Sequence, residues 1–484
     1  LLAIGCDVRY ADVLVPAPDG GGAGDAAPPP PASRVDLLLV IDNSASMADK
    51  QDILALAVPD LVQRLVAPRC HDASSEQTLE PDAWGNCPAG SSLESRALTD
   101  LHIGVITSSL GGVGADSCSD SAPVPYSPRT QDMAHLVARS PTDPSQPLPT
   151  WNDKGFLFWD PAGQGTPAGE TSAGVLVDRF ASMVRGAGQD GCGFEMGLEA
   201  WYRFLVDPAP YARIVATDCA SGLPAADGGC RGPEGVDPTV LTQRADFLRE
   251  DSLVVVLMLS DEDDCSVRVG GQNYLALQAY SGAQPFVMPR GTSACANTPA
   301  SPECRSCSLA GAGADPACME PRDPSEDALN LRCWHQKQRF GIDFLYPVQR
   351  YVDALTQDRL EDGTWSPLFC SKRSGDGATC EGTPRDPSQI LLAGVVGVPW
   401  QLIARDPNDL AAGLLPSSEL PWDAIAGDPA SFVEPSSPFM VSSIQPRSGV
   451  DPITGESVAP PGASSPTASP INGHEREIPG RNDL

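Results

Sequence analysis

The chain has 484 residues, with 63 acidic and 32 basic side chains and a formal net charge of −31. This negative charge disfavours binding to nucleic acid or to anionic lipid, because both need clustered Lys and Arg. A hydrophobic content of 41% is enough for a sizeable core, while 49 prolines and 46 glycines predict long loops.

The start of the chain has features of an exported, lipid-anchored protein. The sequence Leu2-Ala3-Ile4-Gly5-Cys6 resembles a bacterial lipobox, in which the cysteine is lipidated after a signal peptide is removed. This implies lipidation at Cys6, a signal-peptide remnant at residues 1–6, and a sequence cut at both ends. A free or intermolecularly paired Cys6 is the alternative. Residues 7–33 are rich in Pro and Gly and are expected to form a tether.

The other cysteines predict a disulfide framework in an oxidising compartment. Fifteen cysteines are far too many for an ordinary reduced chain of this size. Setting Cys6 aside leaves 14, enough for seven bridges whose pairing the sequence leaves open. These are Cys70, Cys87, Cys118, Cys192, Cys219, Cys230, Cys265, Cys295, Cys304, Cys307, Cys318, Cys333, Cys370 and Cys380. Cys304 and Cys307 have the spacing of zinc ligands, but disulfides are favoured in an exported chain.

Apolar runs alternate with helical patterns through residues 34–412. Buried strands are predicted at 35–41, 101–107, 253–259 and 390–398, a short edge strand at 156–159, and helices around 54–65, 176–184, 194–205 and 344–355. Pro59 is expected to kink or split the first helix. The order predicts an α/β fold with a doubly wound, mostly parallel sheet flanked by helices.

Three stretches exceed what such a sheet needs. Residues 110–155, 207–241 and 266–335 are rich in Pro, Gly, Ser and Cys, and we interpret them as disulfide-stapled loop insertions rather than separate domains. Residues 413–484 are rich in Pro and Ser with few large apolar residues, and are expected to be a largely disordered tail.

Oxygen-bearing side chains follow two of the predicted strands. Asp42, Ser44 and Ser46 come directly after the first, and Asp261 follows Ser260 after the run 253–259. Ligands of open α/β sheets bind outside the carboxyl ends of the strands, and such oxygens suit a hard cation. Helix capping by Asp42 to Ser46 is the alternative. The following acidic residues, Glu262 to Asp264, are interpreted as a solvated loop or a second cation site.

This pattern resembles the metal-ion-dependent adhesion site of von Willebrand factor A domains, which carry Asp-x-Ser-x-Ser after the first strand. The cysteine-containing sequences around residues 191–195 and 260–265 resemble a secreted, cysteine-rich bacterial lipoprotein branch of that family. The resemblance implies that Ser44 and Ser46 bind the ion directly, with Asp42 and Asp261 binding directly or through water. The ion would be Mg²⁺ or Ca²⁺, with Mn²⁺ as a third candidate.

One position departs from the family pattern. The family supplies a threonine from a loop before a helix, and Cys192 stands at that position in the best-aligned segment. A cysteine in a disulfide cannot ligate a hard cation, so either the ion binds more weakly or Glu195 or a water substitutes.

Three functions remain after these observations. The preferred one is a module anchored to the bacterial cell envelope that binds a protein ligand presenting an acidic residue, with contact to the membrane only through the lipid. The second is a structural scaffold with a vestigial metal site, whose insertions make the contacts. The third, a metal-dependent hydrolase, is disfavoured, and no enzyme is predicted, because no nucleophile elbow, His-Glu-x-x-His sequence or phosphate loop occurs.

Overall fold

The computed structural model describes residues 34–450, except 73–76, 82–85, 94, 119–129, 220–228, 310, 321, 323–325, 399, 410–411, 429–431, 438–439 and 441–448, together with residues 457–458. The predicted lipidation site Cys6 and the predicted tether, residues 7–33, lie outside the described residues. So does most of the predicted tail beyond residue 440.

A five-stranded, mostly parallel sheet forms the centre of the described part of the chain. Its strands are β1 (Val35–Ile41), β2 (Leu101–Thr107), β3 (Leu157–Trp159), β4 (Leu253–Leu259) and β5 (Ile390–Val395). They lie in the order β5-β4-β1-β2-β3, and only β3 runs antiparallel to its neighbour. The structure thus confirms an α/β fold with a mostly parallel sheet; four of the five strands begin at the predicted residue, and the fifth begins one residue later.

Strand β1 lies in the middle of the sheet, and every one of its residues is buried. Successive side chains of a strand point to opposite faces, so Leu37 and Leu39 enter one core while Leu38 and Val40 enter the other. Burying one such leucine contributes roughly 2 kcal/mol. The apolar run in the sequence, interrupted within β1 only by Asp36, therefore reflects a sheet covered on both faces.

Within the described residues, five helices of nine or more residues supply these two layers. They are α1 (Ala48–Val66), α2 (Ala173–Gly186), α3 (Gly197–Leu205), α4 (Pro238–Phe247) and α5 (Val348–Thr356). Side chains of α1 and α2 join the core that contains Leu37, and those of α3, α4 and α5 join the core that contains Leu38. Helix α1 continues through Pro59, so the predicted split of this helix is wrong. Among the described residues, no helix has both the length and the apolar character needed to cross a membrane.

Two predicted elements differ from the structure. The last of the predicted helices begins at Val348 rather than near residue 344. Pro347 is its N-cap residue and has an extended conformation, so the helix cannot start earlier. Strand β5 was predicted to be buried, but from Leu392 to Val395 its residues are exposed, since it lies at the edge of the described sheet. An edge strand has a neighbour on one side only, and the hydropathy of its sequence does not reveal this.

Short elements fill the connections. Short helices of four or five residues lie at Ala294–Asn297, Pro316–Met319, Gln336–Phe340, Trp400–Ile403 and Trp422–Ile425. Strands outside the main sheet lie at Cys70–Asp72, Gln77–Leu79, Ser91–Leu93, Arg213–Thr217, Cys230–Glu234, Tyr280–Ser281, Gln284–Pro285, Gly449–Val450 and Ser457–Val458.

Seven disulfides join the 14 cysteines of the described residues, which confirms the predicted framework. The pairs are Cys70–Cys87, Cys118–Cys192, Cys219–Cys230, Cys265–Cys333, Cys295–Cys304, Cys307–Cys318 and Cys370–Cys380. Cys304 and Cys307 pair with different partners, so the zinc interpretation of their spacing is wrong. A disulfide of this kind typically stabilises a fold by about 2–4 kcal/mol, and this many of them points to an oxidising, extracellular environment.

Candidate metal centre

The candidate site lies where β1 and β4 end side by side. The two strands are parallel and in register up to Ile41 and Leu259, so the residues that follow them emerge at the same edge of the sheet. The backbone N–H of Asp42 donates to the carbonyl of Leu259 at 2.9 Å, which extends the pairing by one residue. Sequence positions more than 200 residues apart therefore meet at this edge.

Hydrogen bonds join the side chains that the sequence singled out. The Ser44 and Ser46 hydroxyl oxygens lie 2.9 Å apart, and Ser46 Oγ donates to Asp261 Oδ1 at 3.1 Å. The Asp42 carboxylate accepts from the Ser44 N–H at 2.9 Å and from Ser260 Oγ at 2.8 Å. Asp42, Ser44 and Ser46 are buried. The arrangement gathers two carboxylates and two hydroxyls, the kind of oxygen donors that Mg²⁺ and Ca²⁺ take.

The electrostatics of this cluster are unfavourable for a buried carboxylate. Burial of Asp42, reinforced by the negative charge of Asp261, raises the pKa of its carboxyl from 3.8 to about 6. The hydrogen bonds from Ser44 and Ser260 favour the charged form but do not restore the ordinary pKa. A positive charge in contact with Asp42 would relieve this cost.

Glu195 adds a further carboxyl group to the same region. Its side chain is buried, and Oε1 has no hydrogen-bond partner within the described part of the chain. Burial, followed by the charges of Glu262 and Asp42, raises the pKa of Glu195 well above its usual value. The Glu195 carboxyl therefore interacts electrostatically with Glu262 and Asp42, which places it in the same region without making it a ligand.

Cys192 is held away from a ligand role by its bond to Cys118. Its backbone N–H donates to Ser109 Oγ at 2.8 Å, and that hydroxyl donates to Asn43 Oδ1 at 2.7 Å. The disulfide-bonded loop is therefore linked through Ser109 to the side chain of Asn43, which lies between Asp42 and Ser44. Cys192 stabilises the site but supplies no oxygen.

Several positioning residues were missed by the sequence analysis. Asn43 is buried and donates to the carbonyl of Ala187 at 3.2 Å, while Gln51 Nε2 donates to the carbonyls of Asp42 at 3.1 Å and Gly188 at 2.7 Å. For Gln51, the only signal in the sequence is a polar residue on the face of α1 that otherwise carries apolar side chains. Polar residues in helices are more often exposed, so the helical pattern does not identify Gln51 as a residue that positions the site.

Position 191 must be a glycine because its backbone packs closely against Asn43. Its N–H donates to the Asn43 carbonyl at 2.7 Å, and a Cβ atom added to Gly191 would lie 2.3 Å from Asn43 Oδ1. Any side chain would push Asn43 away, and with it the loop that carries Asp42 and Ser44.

Ser108 was also missed, although it follows β2 at the same edge of the sheet. Its N–H donates to the Ile41 carbonyl at 3.1 Å and its carbonyl accepts from Met196 at 3.2 Å. The buried Ser108 hydroxyl oxygen has no hydrogen-bond partner among the described residues. Together with Glu195 Oε1 it is a second unsatisfied buried oxygen on the elements that border the candidate site.

The acidic residues after Asp261 divide into different roles. Glu262 accepts from Ser46 Oγ at 3.2 Å, and Asp264 accepts from the N–H groups of Leu198 at 2.8 Å and Ser266 at 3.0 Å. Burial raises the pKa of Asp264 to about 6. Asp263 is exposed, so the solvated-loop interpretation holds for this residue alone.

Within the described ranges, no three Asp, Glu, His or Cys side chains are placed so that they could hold a metal ion together. The candidate set contains two carboxylates, Asp42 and Asp261, and takes its other donors from Ser44 and Ser46. In comparisons with known proteins, the chain matches no family model, no curated protein and no solved structure at a significant level.

Proposed function

We propose that this protein is a binding module of the von Willebrand factor A type, in which a divalent cation accepts a carboxylate from a partner protein. The observation that carries the proposal is the hydrogen-bonded cluster of Ser44, Ser46 and Asp261 beside the buried Asp42. It combines the Asp-x-Ser-x-Ser sequence with a parallel sheet whose strand ends bring these residues together.

The chemistry of the donors favours binding of an anionic group. Ser44 and Ser46 would hold the ion as neutral hydroxyls, with Asp42 and Asp261 binding directly or through water. The two hydroxyls add no negative charge, so the ion stays electrophilic and can accept an acidic side chain from a partner. The ion would be Mg²⁺ or Ca²⁺, with Mn²⁺ as a third candidate, because hard cations prefer oxygen ligands.

Glu195 is the proposed substitute for the missing threonine. Its unpartnered Oε1 and its electrostatic interaction with Asp42 support this assignment. A bound divalent ion would favour the charged form of Glu195, which burial alone disfavours. Because no three carboxyl side chains in the described ranges are placed to hold one ion together, Glu195 would contribute through a bridging water rather than as a third direct ligand.

The proposed location is the bacterial cell envelope, outside the cytoplasm. Seven disulfides are consistent with an oxidising compartment. The lipid anchor at Cys6 rests on the lipobox-like sequence alone. Mass spectrometry of the protein from a native bacterial membrane, with detection of an acylated Cys6 peptide, tests the anchor.

Calorimetric titration of Mg²⁺, Ca²⁺ and Mn²⁺ into the oxidised chain tests the metal site. We expect saturable binding that is lost in the double variant Ser44→Ala, Ser46→Ala. The matched control is Ser145→Ala, Ser388→Ala, because both of these exposed hydroxyls also donate to an aspartate, at 2.6 and 2.7 Å. Equal binding by wild type and the Ser44, Ser46 variant would contradict the proposal.

A structural scaffold is the second candidate, and the Cys118–Cys192 disulfide favours it. This bond occupies the residue that aligns with the family's threonine, so the insertions rather than an ion would make the contacts. Partner binding would then survive EDTA and be lost on reduction. The metal-assisted module predicts the opposite response to EDTA.

A further inference from the structure

A lysine side chain already contacts the candidate metal centre. Lys50 lies near the start of α1, four residues after Ser46. Its Nζ atom lies 2.8 Å from the Ser46 carbonyl oxygen and 2.9 Å from Asp261 Oδ2. Since Asp261 Oδ1 accepts from Ser46 Oγ, both oxygens of this carboxylate have a hydrogen-bonded partner.

The contact differs from an ordinary surface ion pair in its surroundings. The Asp261 side chain is only 20% exposed, and its charge contributes to the raised pKa of Asp42. An ammonium group at Asp261 therefore partly neutralises a cluster in which carboxylates repel one another. Exposed ion pairs contribute little because water screens them, and this pair is less screened.

We propose that Lys50 is a built-in competitor for the divalent cation, and that its ammonium group leaves Asp261 when the ion binds. This inference rests on the proposed function, because it concerns the regulation of the same site. The ammonium group holds Asp261 in place while no ion is present. When a divalent ion is present, Asp261 would hold the ion instead, and the Lys50 ammonium group would leave this carboxylate.

The geometry of Lys50 makes such an exchange possible. Its side chain is 39% exposed, so the ammonium group can turn into water without disturbing the core. The flexible four-carbon stem of a lysine allows this movement at low cost, and a free ammonium group is strongly hydrated. The stem remains on α1, close to the ion, where the charge still weakens ion binding.

The consequence is a threshold for ion binding. An ion must displace Lys50 as well as lose part of its own hydration, so the affinity is lower than the oxygen donors alone would give. The site is then filled only where the divalent cation is plentiful, as in an extracellular medium. Substitution of Lys50 by an uncharged residue of similar length should remove this threshold.

The decisive comparison uses Lys50→Met, which keeps an unbranched apolar stem, and the control Lys154→Met. Lys154 pairs with Asp246 at 2.6 Å, and its side chain is similarly exposed at 29%. Titration of Mn²⁺ into the full oxidised chain should show about tenfold tighter binding to Lys50→Met, since close charge pairs couple by about this amount. Lys154→Met should bind the ion as wild type does.

Thermal unfolding gives a second readout that does not depend on a partner. In EDTA, Lys50→Met should melt below wild type because the carboxylates lose their ammonium group. Saturating Mn²⁺ should close this gap, whereas the gap produced by Lys154→Met should be the same with and without the ion.

The outcomes separate this inference from the proposed function. Ion binding by wild type with equal or weaker binding by Lys50→Met overturns the role of Lys50 and leaves the metal site standing. Binding by Lys50→Met alone supports the competition strongly, because wild type would then be blocked by its own lysine. Binding by neither protein overturns both proposals.

Discussion

Strand β1 carries a buried aspartate near each end, and the two are treated differently by the fold. Asp36, near the amino end, accepts from Arg249 Nε at 2.8 Å and from the Arg249 N–H at 2.9 Å. Asp42, just beyond the carboxyl end, accepts from a serine hydroxyl and a backbone N–H, while Asp261 adds negative charge. Both carboxylates are buried.

This difference distinguishes a structural charge from a functional one. Burial raises the pKa of Asp36, and the Arg249 guanidinium opposes that rise. At Asp42 the charge of Asp261 adds to the cost of burial, and the hydrogen bonds from Ser44 and Ser260 do not balance it. A buried charge without a partner is costly, and proteins retain such charges mainly where a ligand supplies the balance.

The largest expected effect comes from neutralising each aspartate in turn. Asp36→Asn should lower the free energy of unfolding by about 3 kcal/mol, because it leaves the Arg249 guanidinium without its buried partner. Asp42→Asn should leave this free energy unchanged or raise it in EDTA at pH 7.5, because it removes a repelled charge. Urea unfolding of the two variants and wild type measures both values.

The same two variants also distinguish an effect on stability from an effect on ion binding. Mn²⁺ should stabilise wild type and, to the same extent, Asp36→Asn, but it should not stabilise Asp42→Asn. A clear destabilisation of Asp42→Asn in EDTA would mean that the two ends of β1 are alike, and that Asp42 is structural.

The second-largest expected effect on stability and ion affinity comes from crowding the loop that carries Asp42. Gly191→Ala places a Cβ atom against Asn43, and overpacking of this kind costs about 2 kcal/mol. Ion affinity should fall as well, because Asn43 lies between Asp42 and Ser44. Urea unfolding and Mn²⁺ titration measure the two effects.

A second glycine provides the control for this change. A Cβ atom on Gly174, in helix α2, would have only Ser172 Oγ near it, at 3.9 Å. Gly174→Ala should therefore be neutral or slightly stabilising, with ion affinity unchanged. If the two alanine variants behave alike, the contact between Gly191 and Asn43 does not position the site.

The bounds of the strands followed from the sequence because short apolar runs are typical of strands in such a sheet. Val35–Ile41 and Leu253–Leu259 have the predicted bounds, and the acidic and hydroxyl residues after them come together at one edge. Only short-range patterning and the rule that parallel strands end on the same side were needed.

Features that depend on contacts between distant residues were not predictable. The partner of Cys192 could be any of 13 other cysteines of the framework until the fold brought Cys118 beside it. The salt bridge from Lys50 to Asp261 joins residues on α1 and after β4. The exposure of β5 likewise depends on which strands lie beside it, which its own sequence does not encode.

A third prediction concerns the acid stability of the amino end of β1. His102 is buried, its Nδ1 lies 2.8 Å from the Phe247 carbonyl oxygen, and burial together with the Arg249 charge lowers its pKa to about 3. Because the unfolded chain takes up this proton near pH 6.5 and the folded chain does not, stability is lost as the pH falls below 6.5. The loss approaches about 1.4 kcal/mol per pH unit.

His102→Phe removes the titrating group and keeps an aromatic ring among Phe156, Phe158 and Trp151. As the pH is lowered from 6 to 4, the free energy of unfolding should fall more for wild type than for this variant. A difference that does not vary with pH would mean that the folded protein accepts a proton at His102. The amino end would then tolerate more positive charge than the Asp36–Arg249 pair suggests.

The smallest effect compares one hydroxyl at each end of β1. Ser260 Oγ donates to Asp42 Oδ2 at 2.8 Å, and Ser252 Oγ donates to Asp36 Oδ2. Loss of such a bond to a carboxylate costs about 1 kcal/mol. In Ser260→Ala this loss should appear as weaker Mn²⁺ binding, by about fivefold, because the hydroxyl orients a proposed ligand and favours its charged form.

Ser252→Ala should lower the free energy of unfolding by a similar amount and leave Mn²⁺ binding unchanged, because Arg249 still holds Asp36. Both variants delete a hydroxyl that donates to a buried aspartate, and because Ser252 Oγ also accepts from Arg385 Nη2 at 3.0 Å, the comparison rests on ion affinity rather than on stability. Weaker ion binding in both variants would mean that the ends of the strand are coupled through the sheet. A loss confined to Ser260→Ala would locate the ion at the carboxyl end, beside Asp42.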